Sequence, residues 1–344
     1  MSKFRHLGRI SNLLKQRLTT PEYAAGIASG DRIILAKAIS LAESSLPEDE
    51  KQAAELIAQL NTKNTSIRIG ITGVPGVGKS TFIEAFGKHI TSLNKKIAVL
   101  TIDPSSQLTK GSILGDKTRM DELSKNPLAF IRPSASGNTL GGTTGKTREC
   151  ILLCEAAGYD VIIVETVGVG QSETAVKNLV DFFLLLMLAG AGDELQGIKK
   201  GIMEMADALV ITKADGENVK RAKEAQADYQ HALNLLIDHT AGWKPKVLTS
   251  SALENKGIKE VWDTVLNFKD YALHSGHFEL QRKQQNITTF RESFAQLLKN
   301  DLTRFSEIQK KSATLEQEVA DQKISAYEAA QQLLRLYYEA IKKA

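Results

Sequence analysis

Cysteine is nearly absent from this 344-residue chain, which holds only Cys150 and Cys154. Two thiols four residues apart on an expected helix do not make a disulfide-stapled scaffold. They read as reduced, partly buried side chains of a reducing cytosol, with a metal or redox pair as the lesser alternative. Histidine is scarce too: of His6, His89, His231, His239, His274 and His277, only the pair in His274-Ser-Gly-His277 has a spacing that hints at a metal. Charge of one sign is not concentrated. The net charge of +4 is spread over the length without a basic stripe, so a nucleic-acid partner is not expected. The longest apolar run, 182–189, is too short to cross a bilayer and reads as a strand buried on both faces. The first ten residues are basic and amphipathic but lack the apolar segment of a secretory signal, so a cytoplasmic location with no membrane partner is expected. Internal repeats and low-complexity segments are missing. What remains is ordinary globular composition, 42% apolar and 24% charged, and enough length for one large α/β domain with extra elements.

Against that plain background one segment stands out. Gly73-Val74-Pro75-Gly76-Val77-Gly78-Lys79-Ser80-Thr81 directly follows the apolar run Ile67-Arg68-Ile69-Gly70-Ile71. A phosphate cradle needs backbone N–H groups converging on an anion, and glycines permit that tight loop. Lys79 supplies charge for the β- and γ-phosphates, Ser80 a hydroxyl for Mg²⁺, and the following helix its positive N-terminal end. A nucleoside triphosphate site is therefore expected over residues 73–81.

The base is read further on. Thr212-Lys213-Ala214-Asp215 follows the apolar run Ala208-Leu209-Val210-Ile211 and has the [N/T]-K-x-D pattern of guanine readers. The Asp215 carboxylate accepts from both N1–H and the exocyclic amine of guanine, a pair that adenine does not offer, while the Lys213 stem covers the purine face. An unpaired buried carboxylate is costly, so such a pocket rejects ATP as well as accepting GTP. Ser250-Ser251-Ala252, after the strand 246–249, is placed to offer a backbone N–H to guanine O6.

Short β-branched runs alternate with helical stretches from about 66 to 270, predicting an α/β, P-loop NTPase fold with a mostly parallel central sheet. Strands are expected at 67–71, 97–102, 161–164, 182–188, 208–212 and 246–249, with a further one at 129–131. Residues 1–65 form a helical N-terminal arm, with Asp31 capping one helix and Pro47 opening another. Residues 271–344 form a C-terminal helical arm. In it, Ile287, Phe290, Phe294, Leu297, Phe305, Ile308, Leu315 and Val319 mark a stripe along one long helix, and Ser325 to Glu328 form a capping box opening the last. Such a stripe buries either on its own domain or in a subunit interface.

Asp103 and Glu165 follow strands beside the P-loop, where ligands bind in such sheets, and are expected metal ligands together with Ser80. Glu165 opens a D-x-x-G shape with Glu in place of Asp, and Gly168 is positioned to meet the γ-phosphate. Asp116, in the polar stretch 111–119, is expected as a water-orienting or metal-linked carboxylate, with a solvated loop charge as the alternative. The glycine-rich loops 136–143 and 189–201 are too rich in glycine to be mere connectors. In the second, Gln196, Lys199 and Lys200 are expected to complete the catalytic site with Lys79 when a partner docks; the alternative is a loop of solvated lysines.

In combination, GVPGVGKST, TIDPSS, IVETVGVGQSE and GDELQGIKKGIMEMADALVITKADG closely resemble the MeaB/ArgK family of GTPases associated with methylmalonyl-CoA mutase. The resemblance spans roughly residues 20 to 340. It implies a chaperone that uses GTP to gate cofactor delivery to an adenosylcobalamin-dependent acyl-CoA mutase and to protect that mutase, with GDP as product and dimerisation through the C-terminal helices. By motif it implies phosphate binding at 73–81, Mg²⁺ near Ser80, Asp103, Asp116 and Glu165, and guanine binding by Lys213 and Asp215 with Ser250 to Ala252 alongside. Departures are Thr212 for the commoner Asn and Phe290 where Trp is usual. The family's older label, a kinase of amino-acid transport, finds no support in these residues. A metallochaperone GTPase is the alternative function, and it would want the His/Cys cluster that the sequence lacks.

Overall fold

A computed structural model describes residues 17–60, 66–103, 120–135, 140–166, 172–190, 200–236, 242–302 and 304–343. Seven strands form one fully parallel sheet: β1 (Ile67–Gly73), β2 (Ile97–Asp103), β3 (Ala129–Ala135), β4 (Val161–Thr166), β5 (Phe182–Leu188), β6 (Ala208–Thr212) and β7 (Lys246–Thr249). Their order is β3-β2-β4-β1-β5-β6-β7, with β1 in the centre. The expected strands are all present, but β1, β2, β3 and β4 run further than their apolar runs. Ladder pairing carries the backbone past the last apolar residue, so Glu165 and Thr166 lie inside β4, paired beside Thr101 and Ile102.

Both sheet faces are covered, which is why β1, β4 and β6 are buried along their whole length and β5 up to its last residue. On one face, Ile69, Ile71, Val99, Ile163, Leu184 and Val210 pack under α4 (Lys79–Ser92) and α10 (Ile258–His274). On the other face lie the N-terminal helices α1 (Thr20–Ala28), α2 (Arg32–Glu43) and α3 (Pro47–Gln59), with α6 (Leu140–Ala156), the short α7 (Ser172–Lys177) and α9 (Val219–Leu236). Small helices α5 (Asp121–Lys125) and α8 (Lys200–Met205) complete the crossovers. The sequence signals for the N-terminal arm have visible causes. The Asp31 carboxylate accepts from the Ile33 and Ile34 N–H groups, and Pro47 occupies the first turn of α3. Cys150 and Cys154 on α6 are fully buried rather than partly so, both free, and burial holds both thiols well above their usual range. That makes them inert core residues.

The chain divides into compact units at 285/286. Helix α11 (His277–Leu302) starts in the first and ends in the second, and α12 (Ser306–Ala320) and α13 (Ala326–Lys343) follow. The single long helix expected over 287–319 is thus two helices. Phe305 adopts an extended conformation before α12, and its ring packs edge-on to Tyr337, 6.0 Å between centroids. Only Ile308 and Leu315 of the expected stripe are buried, while Phe290, Phe294 and Leu297 on α11 are exposed by 69%, 56% and 66%. The Ser325 hydroxyl accepts from the Glu328 N–H, 3.1 Å, as its capping role requires.

Candidate functional site

The P-loop leaves the end of β1 and enters α4, and the glycine positions follow from contacts. At Gly73 a Cβ would lie 2.6 Å from the Leu186 carbonyl oxygen of β5, so only glycine lets the two backbones approach. Gly78 precedes α4 at φ 91°, a left-handed conformation that other residues adopt with strain. The Lys79 ammonium curls back and donates to Gly73 O at 2.7 Å. Burial lowers its pKa, and the carboxylates of Glu165 and Glu173 oppose that shift. Ser80 follows in the first turn of α4, half-buried. Val74, Pro75, Gly76 and Thr81 rim the loop, and Val77 is buried beneath it.

The expected base side is built on the ends of β6 and β7. Thr212 lies where Asn is commoner. Its hydroxyl is 2.7 Å from Val77 O and 3.2 Å from Met187 O, so the β6 end is tied to the P-loop by a single shared hydrogen. Lys213 sits at φ 55° and extends over the loop to donate to Gly76 O, 2.8 Å. The Ser251 hydroxyl donates to Asp215 Oδ2 at 2.6 Å and is itself fully buried. Ser250 N–H donates to Ile211 O, and Ala214 N–H to Ser250 O, which locks the Ser-Ser-Ala turn against the T-K-x-D turn. Val77, Gly78, Thr212, Lys213, Asp215, Ser250 and Ala252 line one cavity of about 190 Å³. Thr81, Phe82 and Leu253 also line it, the last 81% exposed. Sequence reasoning did not single out Phe82 and Leu253; apolar residues one position beyond a motif carry no pattern of their own.

On the acidic side, Glu165 is buried within β4 on the α4 face of the sheet, beside Thr101 of β2. Asp103 is the last residue of β2, paired with Ala135. Asp116, Gly168, Gln196 and Lys199 lie outside the described residues. Glu173 in α7 is a buried acid that the sequence reading passed over, although it ends the segment IVETVGVGQSE. Among the described residues no group of three or more His, Cys, Asp or Glu could hold a metal ion, and no helix is long and apolar enough to cross a membrane. His274 Nδ1 lies 2.7 Å from Asp270 O, and the His277 ring packs edge-on to Phe268.

A parallel sheet with a P-loop at its central strand and a T-K-x-D turn sharing one cavity with it defines a P-loop GTPase. More narrowly, the chain belongs to the family of the methylmalonyl-CoA mutase-associated GTPase MeaB, whose family model matches residues 35–307. A probable GTPase of Mycobacterium tuberculosis is 46% identical over 319 residues, 92% of this chain and 95% of the relative. The GTPase ArgK of Escherichia coli is 47% identical over 285 residues, 83% and 86% respectively. The mitochondrial methylmalonic aciduria type A homolog of Mus musculus is 47% identical over 272 residues, 76% and 66% respectively. Among solved structures, a LAO/AO transport system kinase is 36% identical with a TM-score of 0.73, covering 94% of this chain and 99% of that one.

Proposed function

We propose that this GTPase is a chaperone of an adenosylcobalamin-dependent acyl-CoA mutase of the methylmalonyl-CoA mutase type, and that GTP hydrolysis gates cofactor delivery and protects the mutase. The observation that carries the nucleotide reading is the cavity that Asp215, held by Ser251, lines together with Val77 and Gly78 of the P-loop. Family membership, and the methylmalonic aciduria name of the mouse relative, support the mutase as partner. Lys79 neutralises the β- and γ-phosphates, the backbone N–H groups of 73–81 other than Pro75, with Gly168, hold them, and Lys213, Asp215 and the turn 250–252 hold guanine.

Ser80, Asp103, Asp116 and Glu165 are the proposed magnesium ligands. The fit rests on the all-oxygen donor set of Ser80 and the buried Glu165 on the P-loop face, which suits a hard cation. Magnesium would neutralise charge on the β- and γ-phosphates when bound. Gln196 and Lys199, helped by Asp116, are proposed to stabilise the transition state once the mutase docks, because slow GTPases of this kind lack such a group on their own. The exposed residues of α11 support homodimerisation through the C-terminal helices, and the cytoplasm is the proposed compartment.

Turnover of GTP against ATP tests the nucleotide reading, since equal rates would overturn it. Pull-down from native cells with a GTP analogue and with GDP tests the partner, and recovery of no acyl-CoA mutase in either state would overturn the chaperone role. Glu165→Ala and Asp103→Ala should each raise the magnesium concentration needed for turnover; an unchanged requirement would remove them from the metal site. Gln196→Ala and Lys199→Ala should keep the basal rate and lose the mutase-stimulated one.

A further inference from the structure

One buried acid beside the P-loop, Glu173, has no role in the proposed function. Glu173 is 4% exposed, and its Oε2 accepts no hydrogen bond from any described residue. Its helix, α7, lies directly on β1: a Cβ at Gly70 would be 3.0 Å from Val176 Cγ1. Glu173 precedes Val176 by three residues and so shares its helix face. Because a crossover helix runs back along a parallel sheet, Glu173 is the nearer of the two to the P-loop end of β1. From there its carboxylate, with that of Glu165, opposes the lowering of the Lys79 pKa that burial causes.

On the reading that residues 73–81 bind GTP and GDP, we infer that Glu173 is a positioning residue which retains the Lys79 ammonium in the empty cradle and weakens the hold on GDP. The effect is electrostatic. A half-buried ammonium without a phosphate needs a counter-charge, and Glu165 and Glu173 provide it. When a nucleotide arrives, Lys79 turns to the phosphates and Glu165 faces the proposed cation. Glu173 gains no described partner in that exchange, so its negative charge opposes the incoming phosphates across a medium of low dielectric. The net effect favours release of the diphosphate. A residue with a merely structural role would do the opposite, since its loss loosens the site.

The test is calorimetric titration of GDP into the full-length protein, with and without magnesium, for the parent, Glu173→Gln and Glu173→Asp. Glu173→Gln keeps the shape and removes the charge, and should lower the Kd for GDP by roughly tenfold. Glu173→Asp draws the carboxylate back by one methylene and should fall between the two. Unchanged or weaker GDP binding by a Gln variant that melts like the parent overturns the inference. If the Gln variant does not fold, the Asp variant decides in the same way. A parent protein that binds no GDP overturns the nucleotide reading and this inference together, whereas tight parental binding with indifferent variants overturns only the role of Glu173.

Discussion

At the scale of single residues, the proposed function puts nucleotide identity on Asp215 and phosphate charge on Lys79. The Ser251 hydroxyl takes one lone-pair direction of the Asp215 carboxylate and leaves the rest for N1–H and the exocyclic amine of guanine. An amide at this position loses the charge and presents a donor where guanine also donates. Asp215→Asn should therefore weaken GTP binding by roughly 10²-fold or more, the cost of two charge-assisted hydrogen bonds. It should also admit xanthosine triphosphate, whose C2 oxygen accepts where guanine donates. Competition binding of the two nucleotides checks this, and retained preference for GTP would show that another group reads the base. Lys79→Ala should abolish measurable GTP hydrolysis and leave the chain folded, because the ammonium makes its described hydrogen bonds to carbonyls of its own loop. A large loss of stability would mean that Lys79 also holds the fold.

At the scale of elements, the contact of α6 with the N-terminal helices carries a titration. Lys146 donates to Glu43 O and Ser44 O at the end of α2, which anchors the first turns of α6 there. Beside it Glu149 is pushed up to about 7 by burial, Lys146 acting against the shift and Glu50 of α3 reinforcing it. A carboxyl whose folded pKa is raised favours the folded state at low pH. That contribution is lost as pH rises from the ordinary carboxylate range through about 7. Glu149→Gln should raise stability at pH 8 by an amount on the order of 1–3 kcal/mol and change little at pH 4, read by denaturant melts at both values. An equal effect at both would show that shape rather than charge decides. Nothing in the sequence pattern marks Glu149, since α6 has apolar residues all round. The elements that were legible are those where one local rule acts alone: the period of the buried strands, the Asp31 cap, the Pro47 start, the P-loop glycines. The strand ends and the break before α12 were not. Glu165 enters β4 because β2 pairs with it, and Phe305 leaves the helix to meet Tyr337; both are decisions made by distant partners. That Lys213, Asp215, Ser250 and Ala252 share one cavity was legible for the same reason that Glu173 was not: guanine chemistry dictates a spacing, whereas a lone buried acid has none.

At the scale of the whole molecule, the end of the sheet away from the P-loop is held by buried charges. Arg68 of β1 donates to both oxygens of Glu155 on α6, each at 2.9 Å. Arg282 of α11 donates to both oxygens of Asp181 and to Ser66 O, and Gln285 donates to Val180 O. Burial pushes the Glu155 carboxyl up, but the Arg68 and Ser66 hydrogen bonds hold it below its usual range. Its contribution is present above the unfolded carboxylate pKa and lost on acidification. Glu155→Gln leaves the Arg68 guanidinium buried without its counter-ion and should cost about 3–5 kcal/mol near neutral pH. The same network decides where the C-terminal helices can be cut. A break at 270 or 280 would remove Arg282 and expose the Asp181 carboxylate, so loss of nucleotide binding there would report damage to the sheet. A stop after Gln285 keeps Arg282 and Gln285 and coincides with the division between compact units. It removes the exposed residues Phe290, Phe294 and Leu297, whose apolar area supports the proposed dimer. The truncated chain should bind GTP with the parent's affinity and sediment as a monomer where the full chain sediments as a dimer. A dimer that persists after this cut would move the interface onto the GTPase unit itself, and a full chain that sediments as a monomer would leave the α11 stripe to another partner.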